Sequence, residues 1–152
     1  MDFYTTMTFR KSIERLTKKT RDGYMSVIKD VCEALKNIPD NILRDTNDRV
    51  FQYPEYRVVK LRVANSGQHL PKNNGFRLIY WVSMSHDCVV LMCIYPKRGP
   101  LAAVDLANAE YKRLQMEVFN ESKACMLHQV DIAEGLLELN QNAKLPGDKQ
   151  KG

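Results

Sequence analysis

The sequence predicts an α+β fold: a small antiparallel sheet with an N-terminal helical hairpin on one face and helices at the C-terminus. Three observations predict it. Between residues 9 and 38 apolar residues recur at helical spacing. From Tyr56 to Ser83 the pattern changes to alternation, the period of strands. Cys88 to Tyr95 (CVVLMCIY) is then apolar on both faces, as a central strand is.

The elements follow in chain order. Residues 3–6 form a short first strand. Phe9, Ile13 and Leu16 stand at i, i+4 and i+7, one face of a short helix, and Lys18 to Gly23 breaks it. Tyr24, Val27, Ile28, Val31, Leu35 and Ile38 keep a 3.6 period, so 22–38 is a helix that Pro39 stops. Residues 41–54 are polar and read as irregular. Val59, Leu61 and Val63 alternate with Val58, Lys60 and Arg62, giving a strand with one apolar face and one mainly cationic face. A loop over 64–74, rich in Gly, Pro and Asn, leads to a second strand over 76–83. There Phe76, Leu78, Tyr80 and Val82 share a face, and Arg77, Ile79 and Trp81 share the other. Ser85, His86 and Asp87 turn the chain into the central strand, which Pro96 ends. Val104, Ala107, Tyr111, Leu114 and Val118 predict a helix, and Leu127, Val130, Ile132, Leu136 and Leu139 another. The chain divides into a main domain over 1–120, a helical extension over 121–140 and a disordered tail over 141–152.

Composition narrows the function classes. The 152 residues suit one domain with a core. No run approaches the ~20 apolar residues of a membrane helix. The opening MDFYTTMTFRK has no basic segment leading into an apolar one, so no signal peptide and a cytoplasmic location are expected. Cys32, Cys88, Cys93 and Cys125 form no C-x-x-C pair and read as reduced thiols. Cys88 and Cys93, an odd number of residues apart on one strand, are expected on opposite faces. Neither a metal nor a cofactor is expected.

Charge is distributed unevenly. The net charge is +5. From Tyr56 to Val104 the single acid is Asp87, against Arg57, Lys60, Arg62, Lys72, Arg77, Lys97 and Arg98. Such segregation attracts an anion, above all a nucleic-acid backbone. Lys60, Arg62 and Arg77 are expected on a sheet face that is at least partly open, with Lys97 and Arg98 at the exit of the central strand.

Three motifs in order, KLR (Lys60–Arg62), GFRLIYWV (Gly75–Val82) and PKRG (Pro96–Gly99), resemble the RelE/ParE superfamily of bacterial toxins; the long basic loop between the first two resembles its HigB-like branch. The resemblance covers about residues 1–118. It implies the toxin of a type II toxin–antitoxin system, an endoribonuclease that cuts messenger RNA on the ribosome without a metal, by attack of a ribose 2′-OH on the adjacent phosphate. It implies Lys60 as general base or charge stabiliser, Arg77 on the scissile phosphate, and Arg98 on the leaving group or phosphate. Arg62, Lys72, Lys97 and His69 are candidates for substrate contact, and Trp81 for stacking on a base. The implied partners are a cognate antitoxin, through which the complex binds operator DNA, and the ribosome-bound message; no membrane is implied. Guanidinium groups suit this chemistry because the phosphorane-like oxygens gain negative charge.

Two positions depart from the RelE pattern. Val58 stands where a second lysine is found, and Val104 where a stacking tyrosine is found. The departures leave open a ParE-like inhibitor of DNA gyrase, and a relative that binds RNA or protein without catalysis.

Overall fold

Thr6 decides where the first strand gives way to a helix. Its side chain accepts a hydrogen bond from the Phe9 N–H, a helix N-cap, and its hydroxyl donates to the Met92 carbonyl. In the computed structural model, which describes residues 1–46, 48–103 and 105–147, β1 (Asp2–Thr5) therefore runs directly into α1 (Met7–Thr17). A 3-10 turn (Thr20–Asp22), closed by Gly23 at φ +84°, leads to α2 (Val27–Lys36) and a short α3 (Asp40–Arg44). Four strands follow: β2 (Arg49–Gln52), β3 (Tyr56–Val63), β4 (Phe76–Ser83) and β5 (Cys88–Pro96). After α4 (Asn108–Lys123) come β6 (Leu127–Asp131) and β7 (Leu137–Ala143).

The seven strands make one sheet in the order β2-β3-β4-β5-β1-β6-β7. β1 runs parallel to β5, and the other neighbours are antiparallel. This overturns the small antiparallel sheet expected from the sequence. The sheet is mixed because β5 comes back beside β1, parallel to it, only after the helices and three strands have intervened. It is larger because the C-terminal chain adds two strands to the far edge of β1.

That second point corrects the expected C-terminal helices. Leu127 and Val130 are three residues apart. In a helix that spacing marks one face; in a strand it marks opposite faces. Leu127 packs with the α4 side of the sheet and Val130 with the α1 and α2 side. The strand form prevails because β1 would otherwise present an unpaired edge: Phe3 and Tyr4 pair with Val130 and Gln129. Cys125, at φ +54°, stops α4 before β6 begins. The expected tail from 141 includes the end of β7 and buried Leu145, whose N–H donates to Ser122. Residues 148–152, and Val104 at the expected start of the third helix, lie outside the described residues.

The core has two layers. On one face α1, α2 and α3 bring Phe9, Val31, Leu35 and Leu43 against Val59, Leu78 and Tyr80. On the other, α4 brings Tyr111, Leu114 and Val118 against Val58, Ile79 and Trp81. The second face, expected to be at least partly open, is covered by α4 over Val58, Ile79 and Trp81, while Arg62 towards the other end is exposed. A register shift between Ile79 and Tyr80 inserts Met92 into β5. Cys88 and Cys93 consequently both pack on the α4 side, not on opposite faces, and both remain free thiols. The 41–54 segment expected as irregular contains α3 and β2; Tyr80 holds the former by donating its hydroxyl to the Leu43 carbonyl, 2.9 Å away. Among the described residues no helix is long and apolar enough to cross a membrane.

Candidate functional site

The expected cations gather where β3, β4 and β5 reach one end of the sheet. The register places Arg62 opposite Arg77, and Arg77 opposite Tyr95; one step inward Lys60 lies opposite Ile79, and Ile79 opposite Cys93. The Lys60 N–H donates to the Asp48 carbonyl, on the side away from β4. Lys60 and Arg62 therefore belong to the closely spaced pairs of the β3–β4 ladder, in which side chains approach most. Two arginines directly opposite one another repel, so an anion placed between them is attracted.

The cations are not equally available. Arg62 is exposed, with no ion-pair partner among the described residues. Arg77 is 7 % exposed. Its guanidinium donates to the carbonyls of Lys72 (2.8 Å), Asn73 (3.0 Å) and Phe76 (3.1 Å). Burial, and then the neighbouring Arg62, lower its pKa from the ordinary arginine range. Arg77 thus ties the end of the long loop to β4 and lends the end of the sheet its charge. Lys60 Nζ donates to Asp105 Oδ1 at 2.8 Å, and this hydrogen bond holds the exposed Asp105 carboxyl below the usual carboxylate range. The exposed Arg98 side chain donates to Asn74, while its carbonyl accepts from the Tyr24 hydroxyl at 2.9 Å. The Lys97 N–H donates to the Gly75 carbonyl at 2.8 Å, and Lys97 is half-buried.

Gly75 is what allows this closeness. A Cβ there would lie 2.1 Å from the Val63 carbonyl oxygen, so only glycine lets the loop return beside β3 and start β4 with Arg77 in place. The other end of the loop is anchored on α2. Asp30, 6 % exposed, accepts from the Ser26 hydroxyl and the Ser66 N–H, and Asn65 donates to the Gly23 carbonyl.

Two candidates lie apart from the cluster. His69 is exposed at φ +54°, capping the 3-10 turn Ser66–Gln68 that the Asp30 network fastens to α2. Trp81 is 6 % exposed, stacked on Tyr56 and edge-on to Phe119 beneath α4. It belongs to the core at the other end of β4. Lys72 is exposed and joins the cluster through its carbonyl. Sequence reasoning missed Asp105, which stands one residue beyond the nearly acid-free stretch and meets Lys60 because the chain after β5 folds back over the end of the sheet. Among the described residues no three His, Cys, Asp or Glu side chains converge as metal ligands would.

No family model matches the chain, and no curated protein or solved structure matches it either.

Proposed function

We propose that the chain acts on RNA, as the toxin of a type II toxin–antitoxin system that cleaves messenger RNA on the ribosome in the cytoplasm. The observation that carries this reading is the convergence of Lys60, Arg62, Arg77, Lys97 and Arg98, from three separate motifs, at one end of β3–β5. The charge there suits a phosphate backbone. Exposed Arg62 and Arg98 are the groups that reach a phosphate; Arg77 acts from behind them. Lys60 stabilises charge at the reacting phosphate, with Asp105 holding its ammonium in place. The 2′-OH adds to phosphorus as its proton passes to solvent, the bond to the 5′ oxygen breaks to leave a 2′,3′-cyclic phosphate, and the departing 5′ oxygen takes a proton from solvent. A cognate antitoxin protein covers the cluster and carries any operator binding.

One observation favours a second reading, an RNA-binding relative without catalysis: Arg77 and Lys60 are each engaged by groups of the chain itself. Induced expression in a bacterial host separates the two. Growth and transcript 5′ ends are followed together for the wild type, Lys60→Ala and Arg62→Ala. Growth arrest with new cleavage sites, both lost in the variants, is expected. Arrest with intact transcripts overturns the nuclease and points to a target such as gyrase. No arrest, with salt-dependent RNA binding by the purified protein, selects the binding relative.

A further inference from the structure

β2 pairs with β3 only as far as Val59, and the Lys60 N–H takes the Asp48 carbonyl just beyond. Leu61 to Val63 thus keep β4 on one side and have no strand on the other. Between this open edge and α2 lies a cavity of about 260 Å³. Sites that enclose a whole drug-sized ligand run to ~300–1,000 Å³, so this one suits a single ring system of a larger molecule. Ala34, Ile38, Leu61 and Val63 give it apolar walls. Asp30 and Glu33 bring carboxylates to it from α2, and Arg62 and Lys72 bring cations. Among the described residues none of these four is ion-paired, so opposite charges share the cavity without meeting. Asp30 is buried and already accepts from Ser26 and Ser66, whereas Glu33, Arg62 and Lys72 are exposed to a ligand.

The signs of these groups restrict what fits. The two carboxylates repel a phosphate from the α2 side, and the two cations repel a cation from the other. What remains is a neutral, flat group rich in donors and joined to an anion. A carboxylate only accepts hydrogen bonds. Guanine is the RNA base with two adjacent donors, N1–H and N2–H, on its Watson–Crick edge, the edge that is free in single strands. Adenine and cytosine set a lone pair beside their amino group, and uracil flanks its single N–H with carbonyls, so each turns an acceptor towards the carboxylate. We propose that the cavity takes a guanine base of single-stranded RNA, with the Glu33 carboxylate accepting from N1–H and N2–H and with Arg62 and Lys72 on the adjoining phosphate. The inference deepens the RNA reading and rests on it: Arg62 lines the cavity and also stands opposite Arg77, so a strand held at the basic end passes the cavity mouth. The basic end recognises charge alone, and Glu33 adds a choice of base.

The test uses the full chain and short 2′-O-methyl RNA oligomers, which lack the attacking hydroxyl and report binding without cleavage. Fluorescence anisotropy compares an all-uridine oligomer with oligomers carrying one guanosine or one adenosine. The guanosine oligomer is expected to bind about tenfold tighter than the other two, the worth of one bidentate contact. Glu33→Gln, at an exposed position, removes that preference, because an amide puts a donor where the carboxylate has its second acceptor. Arg62→Ala weakens all three oligomers, the loss of a phosphate contact. Glu14→Gln, the same change of charge on the exposed side of α1, leaves the preference intact. A preference that survives Glu33→Gln overturns the inference. So does calorimetric binding of L-arginine as tight as that of GMP, since a cation with the same pair of donors is then the better ligand. Binding of all three oligomers alike overturns the guanine pocket and spares the RNA reading. Saturable GMP binding that Glu33→Gln abolishes, without affinity for any oligomer, supports the pocket and overturns that reading. No binding of GMP or of any oligomer overturns both.

Discussion

Replacing Arg77 by alanine will destabilise the protein as well as change its charge. The guanidinium makes three hydrogen bonds to main-chain carbonyls from a position 7 % exposed. Hydrogen bonds from a charged donor contribute about 1.5–3 kcal/mol each. Lys72 and Asn73 are exposed, so their carbonyls recover water when the arginine is gone, and the loss is a fraction of the sum. Removing the cross-strand repulsion with Arg62 returns up to about 1 kcal/mol. The balance is a loss of about 2–3 kcal/mol for Arg77→Ala, which lowers Tm by about 5–10 °C in a chain of this size. Arg77→Lys recovers less than half, because one ammonium does not span the fork that reaches Lys72 and Asn73 together. Arg62→Ala, by contrast, leaves stability unchanged or slightly raised. Calorimetry or urea unfolding of the three variants decides the matter. Stability of Arg77→Ala within about 0.5 kcal/mol of wild type would refute the structural role assigned here. It would also restore Arg77 as a group whose loss reports on phosphate contact alone.

Three further outcomes follow from the same geometry. Asp105→Asn frees the Lys60 ammonium and removes a negative charge from the basic end, so RNA affinity rises about three- to tenfold at low salt and the gain shrinks as salt is added. The carboxyl of Asp105 titrates below the ordinary range, so the ion pair is complete above the unfolded carboxylate pKa and is lost as pH falls through the lowered one; in wild type, affinity at low salt therefore rises at acid pH towards that of Asp105→Asn, as filter binding across pH would show. Gly75→Ala drives a methyl group into the Val63 carbonyl and costs more than about 3 kcal/mol, seen as loss of soluble protein or a Tm drop well beyond that of Arg77→Ala. Asp30→Ala leaves the Ser66 N–H and the Ser26 hydroxyl without their carboxylate, costing about 1–3 kcal/mol and speeding hydrogen exchange over residues 64–74 before the sheet is affected.

The two middle strands were legible because their pattern has a single physical solution. Phe76 to Ser83 alternates with its turn residues in place, and β4 occupies those residues. The cationic row was legible for the same reason, since alternation alone puts Lys60 and Arg62 on one side of β3 and Arg77 on the matching side of β4. What escaped was everything fixed by a partner distant in sequence. Leu127 and Val130 satisfy a helix and a strand equally well, and the open edge of β1 chooses between them. Cys93 faces the side it does because one extra residue enters β5 opposite Tyr80, which no local pattern announces. The basic surface depends on contacts of the same kind. An arginine in a strand is equally suited to grip a phosphate or its own loop, and the carbonyls of Lys72 and Asn73 take Arg77 for the second purpose. The charge of Arg77 still adds to the field at that end of the sheet, and the exposed Arg62 and Arg98 are left as the guanidinium groups whose loss tests the RNA reading.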